Sequence, residues 1–272
     1  MMNKVLLLVF GIIFYNPAFS QKYGEVGLFF GSSMFRGDVH TSISHNSHFA
    51  FGINYRQNFN SRWALNFKLR QAKVTGEDAK SDIVFEKHRN LSFQSNITDF
   101  STVLEFNFLE FKPYSPQSFF QNADVFTPHL FLGISLFRFN PKAYLAGNLY
   151  DLAPLQTEGV SYSKVSVAFP IGFGFKFRLN DRLLLDVTAE YRITATDYLD
   201  DVSTRYPSDP DVLSKTTRDL SNKTIQSQGS GGSSWGAQRG NDLNNDWFSY
   251  LGFTLSYNLR KNPTSCHFNT SK

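Results

Sequence analysis

From Tyr23 onward the chain repeats a single pattern, in which large apolar side chains occupy every second position, run after run. A period of two belongs to the β-strand, whose successive side chains point to opposite faces. In one run Val26, Leu28, Phe30 and Met34 alternate with Glu25, Gly27, Phe29 and Gly31. In another, Phe49, Phe51, Ile53, Tyr55 and Phe59 oppose Ala50, Gly52, Asn54, Arg56 and Asn58. Further runs begin at Trp63, Phe100, Leu130, Val165, Leu183 and Trp247. Soluble sandwiches and lipocalins also alternate, so the connections must decide. Asn58 to Arg62 and Leu179 to Arg182 are short links, whereas those after the first, third, fifth and seventh runs are long. Short turns on one side and long loops on the other mark an outer-membrane barrel. The expectation is an all-β fold, a transmembrane antiparallel up-and-down β-barrel of about eight strands with long extracellular loops.

Composition fits this reading. Apolar residues make up 41% of the 272 and aromatics 16%, with Phe at 29 positions. The mean hydropathy is −0.29, and no apolar run long enough for a membrane helix follows residue 20. Lipid-facing and lumen-facing residues average out in a barrel. Lys4, the apolar stretch Val5 to Phe14, the break at Asn16-Pro17 and Ala18-Phe19-Ser20 before Gln21 spell a cleavable signal peptide. The expected division is signal peptide 1–20, barrel 21–260 and polar tail 261–272. Cys266 stands alone, which excludes an internal disulfide and a cysteine metal site. The net charge of +4 is spread out, so a nucleic-acid partner is not expected.

The topology puts the loops around Arg36–Ser47, Thr75–Asn90, Asn140–Ser161 and Ala195–Asn245 outside the cell. Within the last of these, Asn222–Gly240 is rich in Gly, Ser and Gln and reads as a mobile linker. Glu110–Thr127 is a long periplasmic connection, whose Tyr114, Phe119, Phe120 and Phe126 are candidate partner contacts. Eight strands enclose room for side chains but no open channel. The inner face carries Arg56, Lys68, Arg70, Lys176 and Arg192 with Glu25, Asp99, Glu105, Asp186 and Glu190. Unpaired buried charge is costly, so a network of Arg56, Lys68, Arg70, Glu105, Asp186, Glu190 and Arg192 is expected to fill the bore. A polar conduit is the alternative.

Catalytic signals are weak. His40, His45 and His48 lie loosely near Asp38, and Asp197, Asp200 and Asp201 recur with Asp242 and Asp246. The histidines could bind a metal ion and the aspartates calcium or an acidic dyad, but solvated loops, held by Asx turns at the aspartates, account for them. Arg36-Gly37-Asp38 is too short a match to an adhesion tripeptide to carry weight. No nucleophile elbow, phosphate loop or metalloprotease motif occurs in the sequence. No catalytic residue, cofactor, metal or small-molecule substrate is expected.

Several blocks resemble a known family. They are Tyr23 to Val39 (YGEVGLFFGSSMFRGDV), Phe139 to Ala143 (FNPKA), Thr157 to Gly159 (TEG) and Phe169 to Gly174 (FPIGFG). Arg192 to Tyr206 (RITATDYLDDVSTRY) and Asn244 to Tyr257 (NNDWFSYLGFTLSY) complete the order. Together they resemble the PorG-type outer-membrane barrels of Bacteroidetes, with Thr196, Asp197, Tyr198, Asp200, Asp201, Ser203 and Thr204 as the most specific element. The resemblance implies an outer-membrane scaffold of the type IX secretion system, which in some species also drives gliding. It implies contact with lipid and with a periplasmic ring of PorK and PorN. Rival readings are a narrow pore, or a lipid- or peptide-modifying enzyme with an acidic site near Asp197–Asp201.

Overall fold

The computed structural model describes residues 23–39, 47–111, 125–224 and 235–259. Ten strands form one sheet: β1 (Tyr23–Arg36), β2 (His48–Asn58), β3 (Trp63–Glu77), β4 (Ser92–Asn107), β5 (Phe126–Arg138), β6 (Pro141–Leu145), β7 (Asn148–Asp151), β8 (Val165–Arg178), β9 (Leu183–Thr194) and β10 (Trp247–Asn258). Neighbours run β3-β2-β1-β10-β9-β8-β5-β4, and β4 pairs back to β3, which closes an eight-stranded antiparallel up-and-down barrel. Closure removes the free edges that a bilayer could not satisfy. The barrel strands run from 11 residues in β2 to 16 in β4, enough for the roughly 9–11 residues a hydrocarbon crossing needs.

The two short turns are built alike. Asn60 Oδ1 accepts from the Arg62 and Trp63 amides at 2.8 Å, and Asn180 Oδ1 accepts from the Arg182 and Leu183 amides at 2.8 Å. An Asn side chain standing in for a backbone carbonyl tightens each reversal. The opposite rim is more structured than bare loops. β3 and β4 continue their ladder to Glu77 and Ser92, followed on that rim by helix α1 (Val84–Arg89). Within Asn140–Ser161, β6 and β7 form a hairpin whose first strand pairs with β4, adding two strands to the expected eight. Helix α2 (Lys215–Ser221) follows β9, with the Ser214 hydroxyl capping it by accepting from the Thr217 amide at 3.1 Å.

The outward faces are apolar, with Leu132 63%, Phe169 53%, Phe173 50% and Leu251 51% exposed. Withdrawing each such side chain from water is worth about 1.5–3 kcal/mol, so a closed belt of them fits a bilayer and not an aqueous surface. Aromatic side chains ring the short-turn rim, where Trp63 meets Phe106 at 4.8 Å and Phe126 stacks on Phe175 at 5.9 Å. Phe126 is therefore the first residue of β5 on the outer wall, not part of a free connection, because the period of two already operates there. The Tyr114, Phe119 and Phe120 contacts, the signal peptide, His40, His45, Cys266 and the tail lie outside the described residues.

Candidate functional site

The bore is filled in two storeys. Nearer the short turns lies a charged storey. Arg56 Nη1 donates to Glu25 at 2.9 Å, its Nε lies 2.8 Å from Glu105, and its other Nη donates to Asp186. Lys176 donates to Glu105 at 2.7 Å and to Asn107 at 2.9 Å. Glu190 gathers three cations from two walls: Lys68 at 2.9 Å, Arg70 at 2.6 Å and Arg192 at 2.9 Å. Arg192 also donates to Asp99 at 3.0 Å, and Ser135 donates to the same carboxylate. All of these side chains are buried. Lys68 and Arg70 stand on β3 and Glu190 on β9, so the pairs cross the bore.

Above them an aromatic storey stops the bore. Phe29, Phe35, Phe93, Phe137, Phe248 and Tyr250 are buried in one cluster with Val39, Leu199 and Val202. The storeys interlock, because Arg70 sits 3.9 Å over the Phe29 ring and 4.9 Å over Tyr250. The glycines of the FPIGFG block make room for this filling. A Cβ on Gly172 would come within 2.4 Å of Phe131, and one on Gly174 within 2.6 Å of His129.

The long-loop rim is a folded cap, and the TEG, DYLDDVST and NNDW blocks of the family resemblance meet there. Glu158 of TEG accepts from the amides of Ser203 and Thr204 at 3.0 Å each. Thr157 donates to Asp201, as does the Tyr162 hydroxyl. Asp200 accepts from the amides of Val39 and Val202 at 2.9 Å each, and Asp246 of NNDW accepts from the Leu199 amide at 2.8 Å. Thr196 Oγ1 accepts from the Tyr198 amide at 3.3 Å. Arg239 donates to Glu158 at 3.0 Å and to the Asp201 carbonyl. Arg89 forks onto Asp78 at 2.7 and 2.9 Å and reaches the carbonyls of Arg239 and Asp38 at 2.6 Å each.

This arrangement corrects two expectations. Asp197, Asp200, Asp201 and Asp246 are buried, not solvated, because the long loops fold over one another; Asp200 and Asp246 hold backbone amides, and Asp201 takes the Thr157 and Tyr162 hydroxyls. Part of Asn222–Gly240 is also ordered: Arg205 bridges to Gln238 in a β pair, and Arg239 is buried. Residues 225–234 of that stretch lie outside the described residues. Burial raises the carboxyl groups. Asp201 is pushed up to about 6, against the opposing Arg239, Thr157 and Tyr162. Asp38 is pushed up to about 6 by burial, opposed by the Asn241 amide and Arg89. Asp197 rises to about 7 through burial, with Asp38, Glu158 and Asp242 adding to the rise. Asp200 and Asp246 are raised too, first by burial and then by neighbouring carboxylates.

Of the expected histidine group, only His48 is described, half-buried and 2.7 Å from the Thr75 hydroxyl. Residues missed by pattern reading include Asp78, Arg89 and Arg239. Nothing local distinguishes them, whereas Glu158 and Asp246 stood inside quoted blocks.

A closed eight-stranded barrel with an apolar outer belt, a filled bore and one folded cap is the architecture of a small membrane-spanning barrel. The chain belongs to the family described as Domain of unknown function (DUF6089), whose model matches residues 3–224. No curated protein matches the chain. Among solved structures it is similar to Ail of Yersinia pestis bound to the heparin analogue sucrose octasulfate, at 9% identity and a TM-score of 0.42, covering 88% of this chain and 99% of that one. Neisserial surface protein A is similar at 10% identity and a TM-score of 0.39, with 87% and 96% covered. OprG of Pseudomonas aeruginosa is similar at 12% identity and 0.38, with 86% and 93% covered. These likenesses carry nothing about what the chain does, and closure of the sheet rests on its own strand pairing.

Proposed function

We propose that the protein is a non-catalytic outer-membrane component of type IX secretion, and of gliding where that occurs, which anchors a PorK/PorN-like periplasmic ring. The observation that carries the reading is the filled bore. Ion pairs cross it and an aromatic cluster and cap close one end, so the barrel's work falls to its two rims. The carboxylates of the cap are spent on fastening loops, which supports a structural part over an acidic enzyme. The resemblance of the cap-forming blocks to PorG-type barrels supplies the partner. Export by cleavage before Gln21 is part of this proposal, as is docking through Glu110–Thr127.

The test is crosslinking in intact cells followed by identification of the captured proteins, with wild type and a Phe119→Ser, Phe120→Ser double variant. Capture of ring proteins by wild type, reduced together with secretion in the double variant, supports the proposal. Capture without any ring component, alongside normal secretion in a deletion strain, overturns it. Steady ion conductance in planar bilayers would instead favour the narrow pore.

A further inference from the structure

We propose that Glu105, His129 and Asp186 form a site for a divalent transition-metal ion, zinc by preference, inside the bore. The inference does not depend on the secretion reading. The three residues come from β4, β5 and β9, and strand alternation turns each of them inward. One donor atom from each lies within 4.8 Å of the other two.

The decisive geometry is between His129 and Asp186. His129 Nε2 lies 3.6 Å from Asp186 Oδ1, too far for a hydrogen bond. Two ligands on one tetrahedral zinc, each bonded at about 2.0–2.2 Å, stand roughly 3.3–3.5 Å apart. Both ring nitrogens of His129 and Asp186 Oδ1 lack a hydrogen-bond partner, although all are buried. Such a cluster of unsatisfied atoms is what a missing shared ligand would leave.

The surroundings hold the three donors in place. The His129 ring lies 5.8 Å from Phe131 on one side, and Gly174 leaves the space its Cε1 occupies. Glu105 is oriented by Asn66 at 2.6 Å on Oε1 and by Arg56 Nε at 2.8 Å and Lys176 at 2.7 Å on Oε2, and Arg56 holds Asp186 Oδ2, leaving Oδ1 to face the ring. Arg56 and Lys176 face three carboxylates here, Glu25, Glu105 and Asp186, which leaves one net negative charge to offset half that of a divalent ion. An imidazole with two carboxylates suits zinc, iron or manganese better than calcium or magnesium, which prefer all-oxygen shells.

The experiment uses the full chain, free of histidine tags, refolded in detergent in the presence of chelator and then dialysed against Zn²⁺ or Co²⁺. The expected result is one equivalent of bound metal, a visible absorption band of four-coordinate cobalt and a raised unfolding midpoint. His129→Gln and Asp186→Asn should each bind at least about tenfold more weakly while keeping heat-modifiable migration. Substoichiometric metal on the folded wild type overturns the proposal, whether or not the variants fold. So does equal binding by wild type and a folded variant, which would mean an adventitious ion only.

Discussion

Glu190→Gln tests the packing of the bore. Glu190 is fully buried and meets Lys68, Arg70 and Arg192 at 2.9, 2.6 and 2.9 Å. Gln keeps the volume and one acceptor oxygen but removes the charge. Arg192 retains Asp99 at 3.0 Å, while among the described residues the ion pairs of Lys68 and Arg70 run to Glu190 alone. Removing one partner of a buried pair costs about 3–5 kcal/mol, because the other charge stays buried and uncompensated. Two cations stranded by one substitution put the expected loss at the upper end of that range. A suitable control is Lys80→Ala, which breaks the exposed Lys80–Glu77 pair and should cost under about 1 kcal/mol. Reversible urea unfolding in lipid vesicles, followed by tryptophan fluorescence, gives both values. A Glu190→Gln barrel within about 1 kcal/mol of wild type would refute the buried network as a source of stability.

On the outer wall, Phe173→Arg and Leu185→Arg should each cost about 2–4 kcal/mol near the midplane and impair insertion; normal heat-modifiable migration in both would contradict the assigned faces. Arg239→Met should strip the cation from Glu158 and Asp201 and loosen the cap but not the barrel, so limited proteolysis should cut within residues 195–224 while strand resistance persists. The cap should also respond to pH. Asp38 and Asp201 at about 6 and Asp197 at about 7 hold protons in the folded state that the unfolded chain has released above its usual carboxylate range, so cap stability falls as pH rises from about 4 to 7. The unfolding midpoint of the cap, read by protease resistance after pulses of heat, should be higher at pH 5 than at pH 8, and the reverse order would refute the sign.

The sequence by itself determined the barrel. A strand's two faces are set by a period of two that any stretch of chain carries locally, so Phe169, Ile171 and Phe173 point outward and Glu190 and Arg192 inward wherever the strands pair. The short links Asn58 to Arg62 and Leu179 to Arg182 were legible too, and Asn60 and Asn180 close them, because an Asx reversal is decided by a few adjacent residues. Tertiary structure alone decided which inward charges meet. Lys68 reaches Glu190 across 122 residues and Arg56 reaches Asp186 across 130, distances that no local pattern encodes. The burial of Asp197, Asp200 and Asp246 was illegible for the same reason. An aspartate in a long loop reads as solvated until Val39 arrives from another loop to give its amide to Asp200, and Asp246 at the far end of the loop takes the amide of Leu199, 47 residues away. His129, Glu105 and Asp186 meet only because three different strands turn them into one bore, so their shared geometry exists in the closed barrel and nowhere along the chain.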